Sequence, residues 1–136
     1  MHTKLVKSSI ETKSVLTSGL PQVLIDRTQL EQVILNLARN AVEAMSLVTD
    51  RPAVLRIGSG STEGGEVTIS VEDSGPGIDP GNVDRIFEPF FTTKPKGMGM
   101  GLSICRSIVE AHGGRLTVAP GRLHGSVFEL VLPLPR

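Results

Sequence analysis

The sequence predicts an α+β fold in two layers, on three observations. Between Thr28 and about Val48, Leu30, Val33, Ile34, Leu37, Ala41, Ala44, Met45 and Val48 recur at steps of three and four residues, the mark of a helix with one buried face. Segments 53–58 (AVLRIG) and 66–72 (EVTISVE) alternate around a Gly/Ser-rich turn at 58–65, the pattern of a β-hairpin. Ile104, Cys105, Ile108 and Val109 mark a second long helix that should stop near Gly113-Gly114, with strands at 115–118 and 126–133 after it.

Ahead of the first helix, 3–8, 13–17 and 22–25 read as short extended pieces, with residues 1–18 forming an N-terminal strand region. The last piece ends at Asp26, whose carboxylate suits a helix N-cap. Between the hairpin and the second helix lies the long irregular stretch 91–101. Glycine-rich stretches of that length between strong elements are disproportionately functional.

At 136 residues the chain should form one domain, 1–136, large enough to bury about two-thirds of its unfolded surface. Acidic and basic residues balance at 14 each, so no net attraction to nucleic acid or to a membrane surface is implied. With no Trp or Tyr there is no aromatic platform for stacking bases. Cys105 is the only cysteine, which excludes an internal disulfide and a multi-cysteine metal site. The absence of a signal peptide and of a membrane-spanning apolar run points to a cytoplasmic chain with no direct membrane insertion.

Three constellations carry chemistry. Gly97, Gly99 and Gly101 alternate just before the second helix, with Lys94 and Lys96 upstream. Bare amides at a helix N-terminus suit a phosphate, and the other reading of such a loop is a hinge without a ligand. Neither the P-loop nor the dinucleotide fingerprint fits: the Gly-Lys-Ser/Thr of the first is absent, and no strand precedes the glycines. On the first helix Gln32, Asn36 and Asn40 stand four residues apart and form one stripe away from the apolar face. Two mid-helix asparagines cost helix propensity, and an amide oxygen is a suitable hard ligand for Mg²⁺, with Asn36 the first choice. Glu43 extends that side, and Arg39 is within reach of a phosphate. The third constellation, 71-VEDSGPGIDP-80, follows a strand and carries Asp73 with Gly75 and Gly77. Such residues build turns. A carboxylate there also suits the exocyclic amino group of adenine and would repel the O6 of guanine.

These pieces, in this order, resemble the catalytic and ATP-binding domain of two-component sensor histidine kinases, within the Bergerat-fold (GHKL) ATPases. The N box is similar to 32-QVILNLARNAVEAM-45, the first glycine box to 73-DSGPG-77, the phenylalanine box to 87-FEPFF-91 and the second glycine box to 97-GMGMGL-102. Gly125 and Phe128 resemble the remnant of a third glycine box. The resemblance covers roughly residues 20 to 134. It implies a mixed, mostly antiparallel sheet covered on one face by helices.

It further implies that Asn36 coordinates Mg²⁺ on the phosphates of ATP, that Asn40 contacts the phosphates or the metal, and that Asp73 binds the adenine amino group. Gly75 and Gly77 would let the adenine pack closely, and Gly97, Gly99 and Gly101 would shape an ATP lid over 91–101. Ile78, Thr92, Met100 and Leu102 join them around the nucleotide. Phe87, Phe90 and Phe91 would meet a separate dimerisation domain carrying the acceptor histidine, and a response regulator would act downstream. Their other reading is ordinary core.

Two positions depart from the family. Glu43 stands where many members carry a Lys, and Thr92, Thr93 and Lys94 follow the phenylalanine box in place of an Arg. Lys94, Lys96 and Arg39 are therefore the candidates for stabilising the transferred phosphoryl. No acceptor-histidine motif precedes residue 26; His2, His112 and His124 read as structural or solvated, so the chain is expected to be part of a longer kinase. The alternatives are a Bergerat-fold ATPase, an anti-sigma-type protein-serine kinase and a catalytically silent nucleotide-binding module. The hydrolases resembling this chain place a general-base Glu where Gln32 stands, and an amide cannot accept a proton.

Overall fold

The computed structural model describes residues 25–88 and 101–133, and the backbone of residues 11–15. The elements run β1 (Glu11–Val15), α1 (Arg27–Met45), β2 (Val54–Ser61), β3 (Val67–Asp73), α2 (Gly101–Ala111), β4 (Arg115–Pro120) and β5 (Ser126–Leu132). Asp26 caps α1 as its residue type predicts, with its Oδ1 accepting the Gln29 amide at 2.9 Å. The helix stops at Met45, short of the expected Val48. Ser46 donates its hydroxyl to the Glu43 carbonyl at 2.6 Å, and the amides of Leu47 and Val48 turn back to carbonyls three residues earlier, so the last turn tightens. The end of α2 falls where the glycines predict it. Gly113 has φ 79°, and the Gly114 amide reaches the Val109 carbonyl at 3.0 Å.

The strands form one five-stranded sheet in the order β1-β2-β3-β5-β4. β1 runs parallel to β2, and every other pair is antiparallel. The β2–β3 hairpin is longer than its sequence suggests, because Gly58, Ser59, Gly60 and Ser61 pair with residues 67–70 instead of turning. The turn itself is residues 62–66, closed by the Thr62 amide on the Glu66 carbonyl at 2.9 Å. The extended pieces expected at 3–8 and in most of 22–25 lie outside the described residues, and the strand expected at 13–17 is observed at 11–15.

Alternation along the strands sorts the two faces. Leu55, Val71, Phe128, Leu130, Leu132 and Leu116 point to one side and pack with Val33, Leu37, Ala41 and Met45 of α1 and Cys105 and Val109 of α2. Arg56, Ser70, Glu72 and Glu129 alternate with them and line the other face. The molecule is thus an α+β sandwich with helices on one face of the sheet. Leu37, Leu55, Leu130 and Leu132 are fully buried, each contributing roughly 1.5–3 kcal/mol of apolar transfer free energy.

Candidate functional site

β3 ends at Asp73 on the helix-covered face, and the chain turns there against the C-terminal part of α1. Gly75 has no room for a side chain, since a Cβ would stand 2.9 Å from Asp73 Oδ1 and 3.2 Å from the Ala44 backbone. Gly77 has φ 81°, a conformation that favours glycine. The protein's own backbone therefore already requires glycine at both positions. Arg51 ties the turn down by donating to the carbonyls of Ser74 at 3.2 Å and Gly75 at 2.9 Å. The Ser74 hydroxyl oxygen accepts the Val54 amide at 2.8 Å.

Asp73 is 1 % exposed. Its Oδ1 accepts the Gly75 amide at 2.8 Å and its Oδ2 accepts the Ser126 hydroxyl at 3.1 Å. Burial pushes its carboxyl above the usual carboxylate range; these hydrogen bonds oppose the rise and neighbouring Glu72 adds to it. The Ser126 backbone amide also donates to this carboxylate, and because a carboxylate offers about four lone-pair directions, three donors leave capacity for one more. Ser126 and Arg51 are site residues that sequence reasoning missed. Ser126 follows Gly125 directly, and that Gly-Ser pair ahead of Phe128 was the available signal; Arg51 left none.

The amide stripe of α1 starts one turn from Ala44. Asn40 and Asn36 are both half-buried, less exposed than a solvent-side stripe would be. At Asn36 the neighbour is α2: its side chain meets the Cys105 thiol, which also donates to the Val33 carbonyl at 3.7 Å. Burial raises that thiol to about 11, opposed by the Asn36 contact. Gln32 and Arg39 are exposed and share with Asn36, Leu35, Glu31 and Thr28 a shallow groove of about 300 Å³. At 1.5 Å per residue, eight residues from Ala44 back to Asn36 span about 12 Å, so an acidic end and an amide end are set along one helix.

Gly101 and Leu102 open α2, whose N-terminal turn therefore begins with a bare backbone. Thr92, Lys94, Lys96, Gly97, Gly99 and Met100, and with them most of the expected 91–101 lid, lie outside the described residues, as do Phe90 and Phe91. Ile78 is half-buried against the core. Phe87 packs edge-on against Phe128 with ring centroids 6.1 Å apart, and the Arg106 guanidinium stands 5.0 Å from its centroid. Its core role is thus real. His112 serves structure, with its Nδ1 on the Ile108 carbonyl at 2.8 Å and its Nε2 accepting the Asp26 amide at 3.3 Å. Glu31 faces Arg27 at 3.3 Å. Among the described residues no helix is long and apolar enough to cross a membrane.

The comparisons with known proteins agree with this layout. Residues 25–136 match the family described as histidine kinase-, DNA gyrase B- and HSP90-like ATPases. The sensor protein TdiS of Thauera aromatica is 44% identical over 84% of this chain, covering 21% of TdiS. A solved catalytic domain of the histidine kinase ThkA, nucleotide-free, superposes with a TM-score of 0.82 at 38% identity over 97% of this chain and 84% of that one. A ThkA structure in complex with the response regulator protein TrrA gives 0.80 at 35% identity over 98% of this chain and 37% of that one. The chain spans about a fifth to a quarter of the length of the curated relatives it matches. It belongs to the histidine kinase-, DNA gyrase B- and HSP90-like ATPase family, as a catalytic domain of the histidine kinase kind.

Proposed function

We propose that this domain binds Mg-ATP and passes the γ-phosphoryl to a histidine on a separate dimerisation domain, in a two-component relay that ends on a response regulator. The observation that carries this reading is the buried, hydrogen-bonded Asp73 at one end of a helix whose amide stripe leads to the N-terminus of a second helix. Asp73 takes the amino group of adenine and refuses the O6 of guanine. Asn36 and Asn40 then lie along the phosphates, toward the bare backbone at Gly101 and the positive end of α2.

The donor set fits a hard cation. Asn36 lines the α1 groove half-buried and carries an amide oxygen of the kind such a cation takes. No cluster of three or more acidic, histidine or cysteine side chains occurs among the described residues, so a cation here would draw its other ligands from phosphate and water, the habit of Mg²⁺. When bound, the ion neutralises the charge of the phosphate chain. Arg39, Lys94 and Lys96 are the proposed sources of further positive charge at the transferred group.

In the transfer, a histidine nitrogen of the partner attacks the γ-phosphorus while the bond to the β-bridging oxygen breaks and ADP leaves. Histidine is its own nucleophile, so the domain supplies positioning and charge stabilisation rather than a base. Phe87, with the neighbouring Phe90 and Phe91, is the proposed contact to the histidine-bearing partner. The location follows as cytoplasmic, where ATP is.

The test supplies the chain with Mg-ATP and a separate histidine-bearing hairpin of its own kinase. The expected product is phosphohistidine on the hairpin, labile in acid and stable in base. Vigorous ATP hydrolysis with no transfer to the hairpin would favour the ATPase reading instead.

A further inference from the structure

The loop between β4 and β5 grips the end of β3 from both faces of the sheet. On the outer face Glu72 Oε2 accepts the amides of Arg122 at 2.6 Å and Leu123 at 3.3 Å, while its Oε1 stands 3.6 Å from Arg56. On the helix face the adjoining Asp73 takes the Ser126 hydroxyl, and any Cβ on Gly125 would collide with the Asp73 carboxylate and carbonyl. The Gly121 amide closes the loop on the Gly125 carbonyl at 2.9 Å. Gly121 is bare for a matching reason, since a Cβ would stand 2.8 Å from Glu72 Oε2.

Glu72 is 7 % exposed. A carboxylate so buried is costly unless it is hydrogen-bonded and paired, and here two loop amides and one guanidinium meet that need. The loop is not in a relaxed conformation of its own: His124 sits at φ 77°, a region that non-glycine residues hold only when their surroundings impose it. What imposes it is Glu72 at one end and the Asp73 turn at the other. Neighbouring residues of a strand point to opposite faces, so residues 72 and 73 hold one loop across the thickness of the sheet.

We propose that Glu72 is a positioning residue for base recognition, holding loop 121–125 by its amides on the outer face and thereby setting Gly125 and the Ser126 hydroxyl against Asp73 on the inner one. The inference rests on the assignment of Asp73 to the adenine amino group. A merely structural Glu72 would alter stability, or weaken all nucleotides alike. A positioning Glu72 alters how sharply the pocket senses that one amino group.

The experiment measures, by calorimetry on the full chain, the affinities of ATP and of purine riboside triphosphate, which differs from ATP only in lacking the amino group. The unaltered protein is expected to prefer ATP by about tenfold or more, as a hydrogen bond to a charged acceptor allows. In Glu72→Ala the preference should fall to about threefold or less, whereas Glu72→Gln, which retains an oxygen for the loop amides, should keep most of it. Gly121→Ala drives the carboxylate away from the loop side and should act like Glu72→Ala; it carries the test should that variant not fold. If both variants weaken the two nucleotides by one common factor, the positioning role is overturned and the Asp73 assignment stands. If the unaltered protein shows no preference, the Asp73 assignment fails and takes this inference with it.

Discussion

Asp73 carries a cost in the free protein that a bound donor would offset. Because burial raises its folded pKa above the unfolded value of 3.8, the folded state holds the proton more tightly. Its contribution therefore favours folding below the unfolded pKa and is lost as pH rises through the folded one, leaving a buried charge above it. Asp73→Asn keeps the shape and an acceptor for the Gly75 amide. Its NH₂ cannot accept from Ser126, so the sign at one pH is not the test; its melting temperature relative to the unaltered nucleotide-free protein should rise as pH rises toward neutral, and it should lose the preference for ATP over purine riboside triphosphate. Melts across pH with calorimetry check both, and a relative melting temperature that falls as pH rises would contradict the account. His124 offers a second test at this scale. With φ at 77°, His124→Gly should gain up to about 1 kcal/mol in urea unfolding. Asp73 was legible in the sequence because turn residues crowd a strand end there. Glu72 and Ser126 were not read, since their partners lie about fifty positions away; Glu72 has no local pattern, and Ser126 only its place after Gly125.

Among the elements, α1 does the most. Its buried stripe faces the sheet, its C-terminal part supports the Asp73 turn at Ala44, and its amides run along the side next to α2. Asn36→Ala should weaken Mg-ATP much more than metal-free ATP, because the lost contact runs through the cation. Calorimetry with and without Mg²⁺ measures this, and equal weakening of both forms would remove Asn36 from the metal. The start of α1 and the end of α2 were legible because Asp26, Gly113 and Gly114 have specific capping geometry. The end of α1 and the length of the hairpin were not. Ser46 reads as a continuing polar residue until its hydroxyl turns back to the Glu43 carbonyl, and the Gly58–Ser61 run reads as a turn until its pairing with β3 is known.

For the molecule as a whole, the two-layer arrangement followed from periodicity, whereas the parallel pairing of β1 with β2 leaves no local signature because the two strands are joined across α1. The same whole-molecule layout bears on the choice between transfer to histidine and hydrolysis. Gln32 is exposed beside Asn36 in the α1 groove, and Glu31, one residue away, is engaged with Arg27. The isolated chain should therefore turn over ATP slowly. Gln32→Glu introduces a carboxylate able to take a proton from water and should raise phosphate release, provided the metal is present. Phosphate release by Gln32→Glu no faster than by the unaltered chain would mean that position 32 does not face the γ-phosphorus.

The seam between the two helices has a practical side. Cys105 is the chain's single sulfhydryl, fully buried and held as the neutral thiol up to a pKa of about 11. Alkylating agents and mild oxidants act on thiolates, so they find almost nothing to attack at neutral pH. The domain is in effect a blank background for cysteine labelling. A probe attached through a new cysteine on the exposed Glu129 side of β5 would report from one address, with the native residue left in place.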